Sequence, residues 1–222
     1  MRMRLTLVRH AEMAGDPFIE PTLPVSGCLT ADVGIRQAEA AREALRGERF
    51  DAALSSPYGR ALQTAQIVLE GRDLPIRILP CLREWQVHPQ FRKLPDDEWE
   101  ALCKESAPAY LEDGYSGPLG EGCLDMLARV VPSFLKALGD LGIHAKYGGF
   151  VPEPHAKDLS VIVFAHGGSL GTLLDFLMGR PIRPVTGFSF EHTGVASLRF
   201  AEVGGVHYPQ LVVSAPSGPE RS

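Results

Sequence analysis

The chain has 222 residues, of which 45% are hydrophobic and 22% are charged, and its formal net charge at neutral pH is -5. This length suffices for one sizeable hydrophobic core and is short for two full domains. We therefore expect a single domain over residues 1–222 with one larger insertion. The acidic balance argues against a nucleic-acid partner, which binds basic surfaces, but it allows a local positive pocket for a small anion.

The four cysteines lie far apart, and no pair has CxxC spacing, so neither a zinc ribbon nor a small disulfide scaffold is favoured. Scattered single cysteines are typical of a reducing compartment. The apolar run at the N-terminus ends at Arg9 and His10, which is too short for a secretory signal. No window approaches the roughly 20 apolar residues of a membrane span. The sequence thus predicts a cytoplasmic protein without a membrane partner.

The first part of the chain alternates short apolar strands with helical patterns. Residues 5–8 (Leu-Thr-Leu-Val) favour a buried first strand, and Thr30 favours the start of a helix with apolar residues at helical spacing behind it. Residues 50–54 predict a second strand, and Pro57 fits the first turn of a second helix. Residues 76–79 predict a third strand.

The rhythm changes between residues 85 and 157, where prolines and glycines are frequent. The elements predicted after the third strand are helices over about 96–112 and 121–141, a strand at 160–165 followed by a helix, strands at 196–201 and 206–213, and a loose tail at 214–222. Strands that alternate with helices predict an α/β fold. We expect a three-layer sandwich in which helices flank a mixed, mostly parallel sheet, with a helical insertion at about 85–157.

The insertion is rich in aromatic side chains whose role the sequence leaves open. They favour equally a substrate pocket and a small core of the insertion itself. These residues are Trp85, Phe91, Trp99, Tyr110 and Tyr115.

Charged and nucleophilic side chains follow three of the predicted strands. Arg9 and His10 close the first strand, and Arg60 lies in the first helical turn after the second. His166, followed by Gly167, closes the strand at 160–165. Because ligands of open α/β sheets bind beyond the carboxyl ends of the strands, we expect these side chains to meet in one site.

Four sequence blocks carry a more specific signal. They are Arg-His-Ala-Glu at 9–12, Ser-Ser-Pro-Tyr-Gly-Arg-Ala at 55–61, Leu-Arg-Glu at 82–84 and Ala-His-Gly-Gly at 165–168. In this order they resemble the motifs of the histidine phosphatase superfamily, also called the phosphoglycerate-mutase-like family. The resemblance covers about residues 5–84 and 160–200, and it implies an enzyme that acts through a phosphohistidine.

The residue types at these positions also fit phosphoryl transfer on chemical grounds. The non-bridging oxygens of a phosphoryl group carry negative charge, and Arg9 and Arg60 can each donate forked hydrogen bonds to them. His166 and the backbone N–H of Gly167, at a helix N-terminus, can add further donors. His10 is the expected nucleophile, for which one ring nitrogen must be unprotonated.

The leaving oxygen needs a proton, and Glu84 is the expected donor. Close to a phosphate dianion, a carboxyl group favours its protonated form. In the second step the same group would activate a water molecule that releases phosphate from His10. His166 is followed by glycine rather than by aspartate, which agrees with the branch of the family that takes its proton from a glutamate after the third strand. The scheme requires no metal and no other cofactor, and no metal-ligand spacing is visible.

Two departures from the pattern of the cofactor-dependent mutases favour a phosphatase: Met-Ala-Gly at 13–15 and Trp-Gln-Val-His at 85–88. A phosphoglycerate-type mutase is the alternative enzyme, and a phospho-ligand binding protein without turnover is the alternative from another class. Many relatives carry an asparagine near residues 192–193, where this chain has His-Thr, and the role of these two residues stays open. We expect a small phosphate ester as substrate, and the sequence leaves its identity and any homo-oligomer undetermined.

Overall fold

The computed structural model describes residues 1–15, 27–91, 94–112, 114 and 117–212. Within these ranges the elements are β1 (Met3–Arg9), α1 (Gly34–Ala44), β2 (Ala52–Ser55), α2 (Gly59–Val68), β3 (Ile76–Ile78), α3 (Asp96–Glu112), α4 (Cys123–Gly139), β4 (Ile143–Lys146), β5 (Gly149–Pro152), β6 (Leu159–Ala165), α5 (Gly167–Leu177), β7 (Val195–Val203) and β8 (Val206–Leu211). Every predicted strand and helix is confirmed within the described residues, most of them with shifted bounds, and residue 213 of the last predicted strand lies outside these residues. The predicted tail at 214–222 lies outside the described residues.

The first two helices begin later than predicted. In α1 the delay arises because the Thr30 hydroxyl accepts a hydrogen bond from the backbone N–H of Gly34 at 2.7 Å, which closes a turn before the helix starts. In α2 the helix begins at Gly59, two residues after Pro57, and Tyr58 is its extended N-cap. Both shifts lengthen the connection between strand and helix.

The strands of the described ranges form one sheet in the order β3-β2-β6-β1-β7-β8-β5-β4. The three pairings from β3 to β1 are parallel, and the four from β1 to β4 are antiparallel. The sheet is mixed, as predicted, but the expectation that it is mostly parallel is wrong. Two hairpins, β7–β8 and β4–β5, add the antiparallel pairings.

The hairpin β4–β5 was missed by the sequence analysis and lies inside the predicted helical insertion. Its strands have only four residues each, and three of the four in β4 are exposed, so no apolar alternation is visible. Tyr147 and Gly148 form its tight turn with φ of 55° and 72°. Two consecutive positive φ values are typical of the turns that suit the twist of a hairpin.

Helices cover both faces of the sheet, which confirms the three-layer sandwich. Along β6, Val161 and Val163 belong to the core with α4 and α5, whereas Ile162 and Phe164 belong to the core with α1 and α2. Such alternation follows from the period of two in a strand. A strand covered on both faces therefore shows the continuous apolar run found at 160–165.

Part of the insertion belongs to the main body of the fold. Helix α4 contributes Val130 and Phe134 to the larger core, and Trp85 packs against the same core. The ring of Trp99 lies 6.2 Å from that of Trp85, so this pair supports the core interpretation. Tyr115 and the side chain of Tyr110 lie outside the described residues. No helix in the described ranges is long and apolar enough to cross a membrane.

The register of the parallel strands brings three chain segments to one edge of the sheet. Arg9 pairs with Ala165 and Ser55 with Phe164, so β1, β6 and β2 end at the same level. Immediately beyond, the backbone N–H of His10 donates to the Ala165 carbonyl at 2.9 Å. The sequence segments that follow these strands therefore meet at this edge.

Candidate active site

Four of the predicted site residues form the floor of a site at this edge. His10, Arg60 and His166 are 5%, 2% and 0% exposed, respectively, and Arg9 is part-buried beside them. The rings of His10 and His166 lie 5.0 Å apart. We call these four residues the floor. Their burial means that each polar group needs a specific partner.

The backbone fixes which nitrogen of His10 carries the proton. Nδ1 lies 2.7 Å from the Ala11 carbonyl oxygen, which can only accept, so Nδ1–H donates and Nε2 is unprotonated. Burial, followed by repulsion from the cationic Arg60 and Arg9, lowers the pKa of His10 from 6.5 to about 3. The imidazole is therefore neutral at physiological pH, with a free lone pair on Nε2.

A short hydrogen-bonded chain orders the opposite side of the floor. Nε of Arg60 donates to Nδ1 of His166 at 3.2 Å, so the proton of His166 is on Nε2, which donates to Oγ of Ser56 at 2.8 Å. Burial and the neighbouring Arg60 lower the pKa of His166 well below its usual value. Thr64 links this side to His10, because its hydroxyl donates to the Arg60 carbonyl and accepts from the N–H of Ala11.

Two guanidinium donors in the floor have no partner among the described residues: Nε of Arg9 and Nη1 of Arg60, both buried. Nη1 of Arg9 donates to the Phe190 carbonyl at 2.5 Å, which anchors the group without using Nε. Unpaired buried donors are rare because they lose their hydrogen bonds to water. Here the two unpaired donors belong to cationic side chains and lie beside a neutral histidine, an arrangement that suits a bound anion.

Glu84 reaches the same edge from the segment that follows β3. Its Oε2 accepts from the backbone N–H of Gly168 at 3.2 Å, and its Oε1 accepts from that of Trp85 at 2.8 Å. A Cβ at residue 168 would lie 2.5 Å from Oε1, so the close approach requires glycine. Burial lowers the pKa of Arg60, and the nearby charge of Glu84 partly offsets that shift. The adjacent Gly167 lies against Arg9: a Cβ added at residue 167 would be 3.9 Å from Cζ of Arg9.

His192 and Thr193, whose role the sequence left open, also belong to this site. Nε2 of His192 lies 3.3 Å from Nη2 of Arg9, and its ring lies 5.5 Å from that of His10. Since arginine only donates, His192 accepts through Nε2. Thr193 has a φ of 56°, rare for a β-branched residue, and its N–H donates to the His10 carbonyl at 3.3 Å. The sequence signal was their position just before β7, which runs antiparallel to β1 and therefore starts where β1 ends.

Within the described residues, no three His, Cys, Asp or Glu side chains lie close enough together to hold a metal ion.

The chain belongs to the histidine phosphatase superfamily (branch 1), whose model matches residues 5–207. It is 43% identical over 200 residues to the adenosylcobalamin/α-ribazole phosphatase of Salmonella typhimurium. The aligned region covers 85% of this chain and 86% of that protein. The α-ribazole phosphatase of Shigella flexneri superposes with a TM-score of 0.67 at 25% identity, over 99% of this chain and 100% of that chain.

A mycobacterial glucosyl-3-phosphoglycerate phosphatase superposes with a TM-score of 0.71 at 24% identity, over 96% of this chain and 98% of that chain, which shows the shared fold. Phosphoester hydrolysis is the activity that the family and these relatives support. The chain is accordingly a histidine phosphatase, a phosphoric monoester hydrolase.

Proposed function

We propose that the chain hydrolyses a small phosphate monoester through a phosphohistidine at His10, with Arg9, Arg60, His166 and the backbone N–H of Gly167 holding the phosphoryl oxygens. The observation that carries this proposal is the pair of buried, unpartnered donors on Arg9 and Arg60 beside the free Nε2 of His10. Preorganised cationic donors of this kind stabilise the charge of a phosphoryl group in transfer.

The reaction proceeds in two balanced steps. Nε2 of His10 attacks phosphorus, the N–P bond forms as the ester P–O bond breaks, and the leaving oxygen takes a proton from Glu84. Water then attacks the phosphohistidine and gives a proton to the Glu84 carboxylate, the N–P bond breaks, and inorganic phosphate leaves. The Ala11 carbonyl holds the other ring proton on Nδ1 throughout.

Two backbone N–H groups, those of Trp85 and Gly168, hold the Glu84 carboxyl group at the site. The N–H of Gly168 lies at the N-terminus of α5, where the helix dipole favours negative charge. This supports the carboxylate as a base in the second step.

As the physiological substrate we propose α-ribazole phosphate. The support is the 43% identity, over most of both chains, to a protein named as an α-ribazole phosphatase. Glucosyl-3-phosphoglycerate is the matched alternative substrate, supported by a likeness in fold. A preference is measured as the ratio of kcat/KM for the two compounds under identical conditions.

The first experiment measures phosphate release from p-nitrophenyl phosphate, with EDTA present, for the wild type, His10→Ala and the exposed-histidine control His144→Ala. We expect turnover in the wild type and the control, and a loss of at least about 1,000-fold in His10→Ala. Mass spectrometry of the denatured wild type should detect an acid-labile phosphoryl group on His10. Turnover that persists in His10→Ala would overturn the proposal.

The same assay with 3-phosphoglycerate separates hydrolysis from phosphoryl return to the substrate. Release of free phosphate supports the phosphatase. An isomerised product would support the mutase, and phosphate binding without either product would support a binding protein.

A further inference from the structure

Arg129 on helix α4 lies behind the segment that carries Glu84. Its Nη1 donates to the carbonyl oxygens of Cys81 and Arg83 at 2.6 and 3.1 Å, and its Nη2 donates to the Glu84 carbonyl at 3.3 Å. The remaining donors, Nε and the second hydrogen of Nη2, bind the Glu121 carboxylate at 2.7 Å each. These bonds use all five N–H groups of the guanidinium.

Glu121 forms hydrogen bonds to the next residues of the same segment, Trp85 and Gln86. Its Oε2 also accepts from the backbone N–H of Gln86 at 3.0 Å, and its own backbone N–H donates to the Gln86 carbonyl at 3.0 Å. Its carbonyl accepts from Nε1 of Trp85 at 2.5 Å. The side chains of Arg129 and Glu121 are only 15% and 17% exposed. A bidentate pair of this kind, shielded from water, holds its geometry more strictly than a surface ion pair.

Arg129 and Glu121 together form a clamp on residues 81–86, the main chain from which the Glu84 side chain extends. Apart from the N–H of Gly168, the carboxyl is held by the N–H of Trp85, which belongs to the clamped segment itself. The segment follows the three-residue edge strand β3, so the sheet constrains it from one side only. The position of the carboxyl group relative to the floor therefore depends on the main chain to which Arg129 and Glu121 are hydrogen-bonded.

We propose that Arg129, paired with Glu121, is a positioning residue for proton transfer by Glu84 to the leaving oxygen. This inference rests on the acid role of Glu84 in the proposed function. Arg129 makes no hydrogen bond to the floor within the described residues. Its charge makes only a minor contribution to the lowered pKa of His166, whereas its hydrogen bonds reach the main chain that carries Glu84. A displacement of the acid by even a fraction of an ångström weakens proton transfer and leaves the attack by His10 in place.

The consequence is a selective dependence on the leaving group. The p-nitrophenolate ion leaves without a proton, whereas an alkoxide requires one. Loss of the clamp should therefore reduce hydrolysis of an alkyl phosphate much more than hydrolysis of p-nitrophenyl phosphate. A general loss of folded protein reduces both rates equally and leaves their ratio unchanged.

The experiment measures kcat/KM for p-nitrophenyl phosphate and for ribose 5-phosphate on the same preparation of each variant. Relative to wild type, we expect the alkyl-to-aryl ratio to fall about 100-fold in Glu84→Gln and at least about tenfold in Arg129→Ala. The matched control is Arg72→Ala. Arg72 also donates to backbone carbonyls, those of Leu45 and Glu48, but none of them belongs to the site. We expect its ratio to equal that of the wild type.

The outcomes separate the two proposals. A lowered ratio in Glu84→Gln with an unchanged ratio in Arg129→Ala would overturn the positioning role and leave the proposed function intact. An unchanged ratio in Glu84→Gln would overturn the acid role itself, and the clamp with it. A lowered ratio in both, with the control unchanged, supports the inference.

A double variant tests whether Arg129 acts through Glu84. In the Glu84→Gln background, Arg129→Ala should lower the ratio no further, because residues that act as a unit are not additive. A further tenfold drop would overturn the inference. Where Arg129→Ala yields no folded protein, Glu121→Gln replaces it, since this variant keeps the side-chain shape but weakens the charged pair. Its ratio should fall in the same direction by about threefold to tenfold, and an unchanged ratio counts against the clamp.

Discussion

The floor of the site, formed by Arg9, His10, Arg60 and His166, is attached to neighbouring parallel strands and the helices that follow them, whereas Glu84 lies on a segment beyond the edge strand β3. The hydrogen bonds of the sheet fix the level at which His10 and His166 emerge. No comparable ladder holds Glu84, and a part-buried arginine–glutamate pair takes its place. The residues proposed to bind phosphate and the residue proposed to transfer the proton are thus held by separate parts of the fold.

This difference implies that the two functions can be damaged independently. A change in the floor should impair all substrates, because every phosphate ester presents the same phosphoryl oxygens. A change near Glu84 should impair mainly those substrates whose leaving group needs a proton. The leaving-group ratio is therefore the measurement that distinguishes the two regions.

The largest effect is expected from Arg60→Ala. The substitution removes a buried cation, the donor to His166 and the unpartnered Nη1, so we expect kcat/KM for p-nitrophenyl phosphate to fall about 1,000-fold. Competitive inhibition by inorganic phosphate should weaken in parallel. Arg60→Lys keeps the charge but not the planar fork, and it should recover only part of the loss. Intact phosphate inhibition in Arg60→Ala would show that Arg60 does not bind the phosphoryl group.

A smaller and selective effect is expected from Gly168→Ala. The added Cβ would lie 2.5 Å from Oε1 of Glu84 and must displace the carboxyl. We expect the alkyl-to-aryl ratio to fall about 30-fold, with a minor change for the aryl ester. Gly47→Ala is the control, because an added Cβ there has no atom within 4 Å. Equal losses on both esters would mean that Gly168 supports the floor rather than the acid.

The contrast between the two regions also explains what the sequence could predict. Arg9, His10 and His166 each end a strongly apolar strand, and parallel strands place their carboxyl ends at one edge. Their convergence was therefore predictable without coordinates. Glu84 was found through its motif, since a short edge strand carries little pattern of its own.

Other features depend on contacts that no spacing reveals. His192 is about 180 positions from Arg9 in the chain, and only the antiparallel pairing of β7 with β1 joins them. Arg129 meets Glu121 and three backbone carbonyls through tertiary packing of α4. The hairpin β4–β5 was missed because its strands have only four residues each and neither alternates apolar with polar side chains in a clear pattern. Backbone pairing at an edge needs little apolar pattern, so the sequence carried little signal.

A modest effect is expected from His192→Ala. Nη2 of Arg9 would lose its acceptor, and the guanidinium would gain freedom, so we expect kcat/KM to fall about fivefold to tenfold for both esters alike. His192→Asn offers an amide oxygen to the same donor and should restore most of the activity. Equal losses on both esters would show that His192 supports the floor through Arg9. A loss confined to the alkyl ester would instead place its role with the acid.

The smallest effect is expected from acidification, and it tests the state of His10. Only the neutral imidazole attacks phosphorus, so protonation would abolish turnover as the pH falls through the pKa of His10. With an ordinary pKa of 6.5, the activity at pH 5.5 would already be about tenfold lower. Because burial and the two arginines lower this pKa to about 3, the neutral form dominates at every pH above about 4.

We therefore expect kcat/KM for p-nitrophenyl phosphate, calculated for the dianionic ester, to change by less than about twofold between pH 7.5 and 5. The aryl ester is chosen because its leaving group does not need Glu84, so the profile reports the floor alone. In Arg60→Lys the cation is less closely fixed to the site. The midpoint of the acid limb of its pH profile should not exceed the ordinary histidine pKa of 6.5. A wild-type acid limb centred near pH 6.5 would mean that water surrounds His10. The contrast between a buried floor and a separately held Glu84 would then be wrong.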